Sequence, residues 1–531
     1  MTRPSTSSGG DRDRPTSPPT QETWARRVLA LPKRALSRRY DREWALCTAV
    51  IAYSVVFSLY IIDKYNDFRS GYFDFGNAIQ LVWLASHGYV TAYVYDRPIM
   101  LLAAVIGWAA PVPVVLAVFE SVALATAAIP VYLIANRVLR SRDYALGFAL
   151  LYLLFPALTG VNQYEFHDLS LCIPFLLFMV YFYLQRSPIP FVITALLALT
   201  TTEYAVIMVA LFAGTVIWEY FATERPRSLL PYIILPLVLA AVWVAYLQSV
   251  ALIPTYTFAT VNNQAYTFTG SSAFLNPVAI LANPVYSFSY ALPAKLLYLT
   301  LVFGPFLLLS VRTPRWLLPA APWILVVLFF SPLVQAGGIG AVYQIWSQWS
   351  SFLIPFVVIS AIVTFGRVTR RERAAKAEPV RSGRRIFAAM AVTMAIVVVA
   401  AGAFSPFLPQ TSLSIGDGIV PTDVAAGALW HGVWPTPVVN APEVDRFISL
   451  IPGSYSVLTQ NQIGSKLGER IAPVYIFFQP GSAPVETDAI LVDTQLAGFC
   501  SSCLTQTLLN GDYLIYAADP AAGITLYFEV G

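Results

Sequence analysis

Long apolar stretches without charged residues constrain this chain more than any other feature of its sequence. Residues 44–62 and 386–404 each contain no Asp, Glu, Lys or Arg. At about 1.5 Å of rise per residue, a helix of this length crosses a bilayer core of about 30 Å. The sequence therefore predicts a polytopic α-helical membrane protein with about eleven transmembrane helices. The other nine stretches are 112–136, 143–160, 169–185, 188–202, 204–220, 229–251, 292–311, 315–331 and 350–366.

The composition agrees with burial in a membrane. Of the 531 residues, 57% are hydrophobic and 12% are charged, and the mean hydropathy is +0.64. A soluble domain carries roughly 25% charged residues, so half that density cannot solvate the surface of a globule of this length. Residues 98–110 are apolar but too short to span, and Pro111 and Pro113 follow them. This piece is predicted to be re-entrant or interfacial.

The placement of Lys and Arg predicts the orientation. Ten of these residues lie in the N-terminal tail, and eight lie between Arg367 and Arg385. With the tail inside, every predicted inside loop carries positive charge, and 26 of the 33 Lys and Arg residues are inside. We therefore expect a multi-pass protein of the plasma (cytoplasmic) membrane, with a cytoplasmic N-terminus and an outside C-terminal domain.

Three regions follow from these patterns. Residues 1–43 are polar and rich in Ser, Thr, Pro and Arg, which predicts a disordered cytoplasmic tail without a cleavable signal peptide. Residues 44–404 are the predicted membrane domain, and residues 405–531 are a predicted extracytoplasmic α/β domain. In this last region Pro442 opens a predicted helix. Short strands are predicted at 456–458, 474–478, 489–492, 513–516 and 525–528.

The four cysteines fit this organisation. Cys47 and Cys172 lie in predicted spans and are interpreted as inert packing residues. Cys500 and Cys503 form a CxxC motif outside, for which the alternatives are a local disulfide, a redox pair and half of a metal site. The sequence has no second CxxC, which argues against zinc, and the outside compartment permits disulfides. A local structural disulfide is therefore predicted.

Polar residues crowd the predicted outside ends of the helices. Asp74 lies in the first outside loop, and the apolar spacing after it predicts an amphipathic interfacial helix. Loop carboxylates are ordinarily just solvated, but Glu203 has almost no loop around it, and ionisable groups near membrane depth tend to face a cavity. We expect the polar groups to converge on one outward-facing pocket and to contact the substrate. Besides Asp74, the candidates are Gln80, Arg97, Glu165, His167, Asp168, Glu203, Tyr343 and Gln344.

The chain resembles the DUF2079 family of predicted membrane proteins, which belongs with the GT-C-fold glycosyltransferases. The resemblance runs from about Trp44 to the C-terminus. It departs from the family pattern at Asp168, where a proline is usual, and at Thr200–Thr202, where a basic residue is usual. The matching residues are Phe73-Asp74-Phe75-Gly76 with Gln80, Glu165-Phe166-His167, Glu203, Tyr343, Ile354-Pro355-Phe356, Ile451-Pro452, Ser456-Val457, Asn461, Arg470, Tyr475 and Ile490-Leu491-Val492-Asp493.

This resemblance implies a glycosyltransferase of the cell envelope that uses a polyprenyl-phosphate-linked sugar donor at the extracytoplasmic face. In GT-C enzymes an aspartate in the first outside loop serves the acceptor, and Asp74 matches that position. The chemistry agrees, because a hydroxyl that attacks an anomeric carbon needs a base. The alternative for Asp74 is a cap on the helix that follows. The leaving lipid phosphate needs cations, and the few outside are Lys64, Arg69, Arg97 and Lys295.

Two other classes of function remain open: a transporter or flippase of a lipid-linked or polar substrate, and a non-catalytic membrane scaffold. A transporter should place charged residues at mid-membrane, whereas the charges here are expected at helix ends. The predicted partners are the membrane and a polyprenyl-phosphate sugar lipid, with no nucleic acid. The sequence identifies no definite cofactor. Glu165, His167 and Asp168 are alternatively ligands of a divalent metal, at a spacing that suits no standard site.

Overall fold

The structure is a computed structural model that describes residues 21–89, 92–223, 225–249, 284–289, 292–329, 345, 347–374, 379–403, 438, 440–477, 486–496 and 499–530. It is mostly helical, with one small sheet near the C-terminus. The α-helices of these residues are Gln21–Asn66, Asn77–Ser86, Ala92–Asp96, Met100–Gly107, Val112–Thr126, Ala128–Leu139, Arg142–Leu153, Pro156–Tyr164, Cys172–Gln185, Pro188–Leu199, Ala205–Ala222, Pro231–Ser249, Pro284–Ser289, Leu292–Phe303, Ala321–Phe329, Ile354–Ala374, Pro379–Ala403, Ala441–Ser449, Asn461–Lys466 and Ser501–Asn510. The strands are β1 (Val457–Thr459), β2 (Val474–Ile476), β3 (Ala489–Asp493), β4 (Tyr513–Asp519) and β5 (Ile524–Glu529).

Among the described residues, five helical segments are long and apolar enough to cross a membrane, and one bent pair of helices adds a sixth if it forms a single span. The five segments are Tyr40–Asn66, Val112–Leu139, Asp168–Gln185, Ala205–Ala222 and Arg227–Ser249. Three shorter apolar helices of 10–17 residues do not reach across a bilayer core by themselves. They are Pro188–Leu199, Lys295–Phe306 and Pro314–Phe329. The count of eleven spans therefore stays a prediction.

The first span illustrates why these helices suit a bilayer. Val50 and Tyr53 point into the bundle and are buried, whereas Ile51, Val55 and Leu59 lie on the outer face and are 49–62% exposed. A surface helix of a soluble protein has a polar outer face. A helix that is apolar on both faces is instead typical of a membrane span, so the structure supports a membrane-embedded bundle.

The helix that contains the first span begins at Gln21 rather than near residue 44. Residues 21–43 were predicted to belong to a disordered tail, so this part of the prediction differs from the structure. Residues 33–43 contain four Arg, together with one Lys, one Ala, one Leu and one Glu, and no Gly or Pro, a composition with high helix propensity. The helix therefore continues beyond the apolar stretch. Residues 1–20 lie outside the described residues.

A single proline explains the bend of 40° between Arg142–Leu153 and Pro156–Tyr164. Pro156 has no N–H to donate, and it pushes Phe155 into an extended conformation with ψ 120°. Proline is well tolerated at the first position of a helix, so a new helix starts immediately at Pro156. That helix ends at Tyr164 and places the turn that follows it at the end of the bundle.

The predicted interfacial piece, residues 98–110, contains the helix Met100–Gly107. Its eight residues are too few to span a bilayer, in agreement with the prediction. Met100 and Ala103 are fully buried, whereas Val105 is 73% exposed. One face of this helix therefore packs on the bundle and the other is free to contact lipid.

The C-terminal part contains a five-stranded sheet in the order β2-β1-β3-β5-β4. β1 pairs in parallel with β2 and β3, whereas β5 pairs antiparallel with β3 and β4. All five predicted strands are present, and so is the helix predicted to open at Pro442. The helices Asn461–Lys466 and Ser501–Asn510 were not predicted. Of the predicted α/β domain, residues 405–437 lie outside the described residues.

This C-terminal domain packs on one end of the helical bundle through the turn that follows the first span. Phe68, at 1% exposure, belongs to the same hydrophobic cluster as Val444, Ile463 and Leu491 of the domain. Its φ of 56° is left-handed, which costs a non-glycine residue about 1–2 kcal/mol. Burial of a phenylalanine side chain contributes about 1.5–3 kcal/mol. The contact with the domain is therefore sufficient to offset this strained turn.

Candidate functional site

Asp74 lies on a short segment between the first span and the helix Asn77–Ser86. Residues Tyr72–Gly76 form one π-helical turn. Glu165 fixes this turn from the bundle side, because its carboxylate accepts hydrogen bonds from the backbone N–H of Gly71 (2.7 Å) and Phe75 (3.4 Å). Glu165 is 3% exposed, and burial raises its pKa to about 7 although Lys64 opposes this shift. Glu165 thus supports the loop that carries Asp74 rather than facing a pocket.

The Asp74 carboxylate makes two hydrogen bonds. Oδ1 lies 3.0 Å from Nε2 of His167, and Oδ2 accepts a hydrogen bond from the hydroxyl of Tyr164 at 3.0 Å. Neither Tyr72–Gly76 nor the helix Asn77–Ser86 has a side-chain cap. The interpretation of Asp74 as a helix cap therefore does not agree with the structure. Because 27% of the Asp74 side chain is exposed, solvent still reaches the carboxylate.

The pair of Asp74 and His167 is charged. Burial by itself raises the pKa of Asp74, but the imidazolium of His167 and the hydroxyl of Tyr164 outweigh it and hold the pKa below its usual value. Burial lowers the pKa of His167, but the carboxylates of Asp74 and Asp168 raise it to about 10. Phe73 and Phe75 flank Asp74 in the sequence, but the ion pair with His167 outweighs any loss of hydration at the carboxylate.

Arg97 is the centre of a second cluster of charges. Its guanidinium pairs with Asp96 (2.7 Å), with Glu203 (2.9 Å) and, in close contact, with Asp168. Asp168 also lies 3.6 Å from Nδ1 of His167, so the two clusters are joined. Burial raises the pKa of Asp96 to about 6, with Arg97 opposing this shift. Arg97 was expected to serve a lipid phosphate, but three carboxylates already surround it.

Two other cations proposed from the sequence are engaged in structural contacts. Lys64 is 1% exposed, and its Nζ donates to the carbonyl oxygens of Gln163 (3.2 Å) and Tyr164. Lys295 is fully buried and donates to the carbonyl oxygen of Leu328 at 3.0 Å. Both ammonium groups stabilise backbone carbonyls inside the protein. Neither presents its charge to a bound phosphate.

The structure unites some of the predicted site residues and separates others. Gln80 faces the C-terminal domain: its Nε2 donates to the carbonyl oxygen of Ala472 (2.8 Å), and its Oε1 accepts from the hydroxyl of Tyr72 (2.5 Å). Tyr343 and Gln344 lie outside the described residues. The predicted residues that form one connected network are Asp74, His167, Asp168, Arg97 and Glu203.

Glu120 contacts the site but was not among the residues predicted from the sequence. This residue lies within the candidate span Val112–Leu139 and is fully buried. Its Oε1 accepts hydrogen bonds from the hydroxyl of Ser170 (2.7 Å) and the backbone N–H of His167 (3.4 Å). The expectation that charges lie only at helix ends was therefore wrong. The signal was present in the sequence, because a single acidic residue interrupts a long apolar stretch.

The described residues do not fit a metal centre. In this part of the chain no group of three or more His, Cys, Asp or Glu side chains is arranged to hold a metal ion. Asp168 and Glu203 are paired with Arg97, and His167 is protonated at neutral pH. A metal ligand has to be a free carboxylate or a neutral imidazole. The predicted metal alternative at Glu165, His167 and Asp168 thus has no support from the donor set.

Cys500 and Cys503 are bonded as a disulfide, with their Cα atoms 5.2 Å apart. The bridge lies at the start of the helix Ser501–Asn510, where the sulfur of Cys500 accepts a hydrogen bond from the backbone N–H of Cys503 at 3.1 Å. Cys47 and Cys172 are free thiols in candidate spans. The predicted local disulfide is therefore present. It lies far in the sequence from the charged clusters.

Comparison with known proteins assigns the chain to a family without assigning it an activity. No curated protein gives a significant match to this sequence. One family profile, described as a predicted membrane protein (DUF2079), matches residues 64–515. This range includes Asp74, the Arg97 cluster and most of the C-terminal sheet. The chain belongs to the DUF2079 family of predicted membrane proteins.

Proposed function

We propose that the protein is a membrane glycosyltransferase that moves a sugar from a polyprenyl-phosphate-linked donor to a hydroxyl acceptor. The observation that carries this proposal is the Asp74 carboxylate, which is charged, accessible to solvent and oriented by His167 and Tyr164. A bond forms between the acceptor oxygen and the anomeric carbon, and the bond between that carbon and the phosphate oxygen breaks. The acceptor proton goes to Asp74, and the lipid phosphate leaves with the bonding electrons.

The low pKa of Asp74 is compatible with this chemistry. Glycosyl transfer passes through an oxocarbenium-like transition state in which positive charge develops on the sugar. The acceptor hydroxyl becomes acidic only as its bond to carbon forms, so a weak carboxylate base accepts the proton late in the step. His167 keeps Asp74 deprotonated before the reaction starts. The carboxylate is therefore ready for the acceptor across the neutral pH range.

In this proposal His167 supplies positive charge near the leaving phosphate, and Arg97 supplies it less directly. The imidazolium of His167 is 20% exposed and lies between Asp74 and Asp168. Arg97 contributes to phosphate binding only if one of its carboxylates moves or is protonated. Asp96 is the best candidate, because burial already raises its pKa to about 6.

The finer architecture belongs to the same proposal: about eleven spans, a GT-C-like fold and a reaction at the extracytoplasmic face of the plasma membrane. Support comes from the excess of Lys and Arg on the predicted inside and from the C-terminal domain, which packs on the end of the bundle that carries Asp74. Cysteine labelling of Ser382→Cys in intact cells tests the orientation. Modification by an impermeant reagent from outside would contradict it.

The experiment that tests the activity is mass spectrometry of lipid-linked sugars and envelope glycans. Cells that lack the protein should accumulate one polyprenyl-phosphate sugar and lose one glycan modification. Expression of the wild-type chain should reverse both changes. If the lipid-linked sugars and the envelope glycans are the same with and without the protein, the proposed transferase activity is wrong.

One observation favours a second candidate function, a transporter of a polar or lipid-linked substrate. Glu120 is a buried carboxyl group within a candidate span, and its Oε2 has no hydrogen-bond partner among the described residues. Ionisable groups at such positions often belong to ion or proton pathways. Transport into vesicles separates the two candidates. If the protein is a transporter, the wild type and Asp74→Asn take up the substrate and Glu120→Gln does not. If it is a transferase, neither the wild type nor either variant shows uptake.

A further inference from the structure

The segment that carries Asp74 is held from the C-terminal domain as well as from the bundle. The side-chain oxygen of Asn461 accepts hydrogen bonds from the backbone N–H of Tyr72 (2.7 Å) and Phe73 (3.1 Å). These two peptide groups directly precede Asp74. Together with the bonds from Gly71 and Phe75 to Glu165, four backbone N–H groups of this short segment are anchored by two side chains.

Asn461 is not used by its own helix. The helix Asn461–Lys466 has Gln460 at its N-cap, and no side-chain cap is formed there. Asn461 is the first helical residue, and its side chain bonds to a segment 388 residues earlier in the chain. An Asn at a helix start ordinarily bonds to the backbone nearby. The long-range contact is therefore specific to the site.

Two glycines let the domain approach this segment backbone to backbone. A Cβ atom on Gly76 would lie 2.7 Å from the Cα of Ser465, and one on Gly468 would lie 2.8 Å from the carbonyl oxygen of Gly76. Real Cβ atoms do not come this close to backbone atoms. Because no side chain lies between them, a displacement of the domain passes directly to the Asp74 segment.

Further polar contacts fix the domain to the same end of the bundle. Gln80 donates to the carbonyl oxygen of Ala472 at 2.8 Å, and Glu469 accepts a hydrogen bond from the backbone N–H of Val112 at 2.8 Å. Phe68 is buried in the domain core. The domain is thus attached to three separate elements around Asp74, and it does not rest on Asn461 alone.

We propose that Asn461 is a positioning residue of the site: by holding the peptide groups of Tyr72 and Phe73, it directs the Asp74 carboxylate onto His167 and Tyr164. A single oxygen that accepts from two consecutive N–H groups restricts the backbone rotation that would otherwise swing Asp74 away. The C-terminal domain is in this way part of the site and not an appended binding module. The catalytic consequence rests on the proposed function, but the positioning itself does not.

The state of His167 reports the position of Asp74 without any sugar substrate. Diethyl pyrocarbonate acylates neutral imidazole and not imidazolium, and peptide mass mapping resolves His167 from the other histidines. In the wild type, burial lowers the pKa of His167, but the carboxylates of Asp74 and Asp168 raise it to about 10, so its modification at pH 7.5 should be slow. Asn461→Ala should speed this modification by at least about tenfold, because each unit of pKa decrease multiplies the neutral fraction about tenfold.

The pH profile separates a change in pKa from a change in access. If Asn461 positions Asp74, the midpoint of the modification profile moves to lower pH in Asn461→Ala, as it does in the positive control Asp74→Asn. Asn461→Asp keeps an acceptor oxygen, and its added negative charge favours the imidazolium, so the midpoint should not move to lower pH. Asn510→Ala, at an exposed position of the domain helix Ser501–Asn510, is the matched control and should leave the profile unchanged.

A wild-type midpoint in Asn461→Ala would overturn the inference. If that variant does not fold, Asn461→Ser replaces it, since serine shortens the side chain and withdraws the acceptor from Tyr72 and Phe73. The outcome is independent of the proposed activity. A wild-type protein without transferase activity refutes the glycosyltransferase proposal and still permits this measurement.

Discussion

The two charged clusters at the end of the bundle differ in how their charges are balanced. Around Asp74, one carboxylate faces one imidazolium and one phenol. Around Arg97, three carboxylates share one guanidinium. A balanced pair that solvent reaches can exchange a proton without leaving an unpaired charge. The Arg97 cluster differs, because the loss of Arg97 removes the cation that all three carboxylates share, although Asp168 also contacts His167. We infer that the first cluster serves chemistry and that the second serves mainly structure.

The largest expected effect on stability comes from the Arg97 cluster. Arg97→Met should lower the free energy of unfolding by roughly 3 kcal/mol, because it removes the partner of three largely buried carboxylates. Thermal or denaturant unfolding of the detergent-solubilised protein measures this loss. Arg42→Met is the control, since Arg42 and Asp143 form an exposed pair at the other end of the first span. Equal unfolding curves for the two variants would remove the structural role of the second cluster.

The second prediction concerns the pH dependence that His167 imposes on stability. The pKa of His167 is raised to about 10, so its contribution is fully present below about pH 6.5 and is lost as pH rises through 10. Stability should therefore decline between pH 7 and 10, by roughly 1–3 kcal/mol after allowance for partial exposure. His167→Gln should flatten this decline.

Comparison with His167→Gln isolates the contribution of His167 in this pH window, because the neighbouring carboxyl groups are present in both proteins. The raised pKa values of Glu165, about 7, and Asp96, about 6, place their titrations at or below the lower end of the window. Unfolding midpoints measured at closely spaced pH values between 7 and 10 provide the comparison. Parallel declines in the wild type and in His167→Gln would show that Asp74 and His167 are not an ion pair.

The smallest effect on stability is expected at the Cys500–Cys503 disulfide, which lies far in the sequence from both charged clusters. Cys500→Ser with Cys503→Ser removes a bridge that closes a very short loop, which should lower the free energy of unfolding by less than about 2 kcal/mol. Serine at position 500 preserves an N-cap for the helix Ser501–Asn510. Transferase activity should be unchanged, as a direct assay with and without reductant will show. A large loss of activity would connect the bridge to the site.

Short apolar sequence patterns correctly predicted the strands of the C-terminal sheet. The strands around Leu458, Ile490 and Thr525 follow from short apolar runs between turn residues, and they appear where expected. The predicted spans and the Lys and Arg counts placed Asp74, His167 and Glu203 at one membrane face, and the structure joins them in one network. Side chains that share a face of the membrane have few positions available, so their proximity is partly predictable.

The partners of these residues were not predictable in the same way. Asp74 meets Tyr164 and His167 about ninety residues later, and Asn461 meets Phe73 across 388 residues. Periodicity reports which face of an element is apolar but not which element lies opposite. The pKa of Asp74 shows the same limit, since its neighbours in sequence are apolar, whereas His167 and Tyr164 each lie 3.0 Å from its carboxylate.

The most direct test of the account measures sugar transfer by membranes that contain Asp74→Asn. Asparagine preserves the size of the side chain and can still accept a hydrogen bond, but it cannot take the acceptor proton. The account predicts normal insertion of the variant and a fall in transfer rate of roughly two to four orders of magnitude. Asp63→Asn, at the end of the first span, should transfer at the wild-type rate. Transfer by Asp74→Asn at that same rate would contradict the central claim.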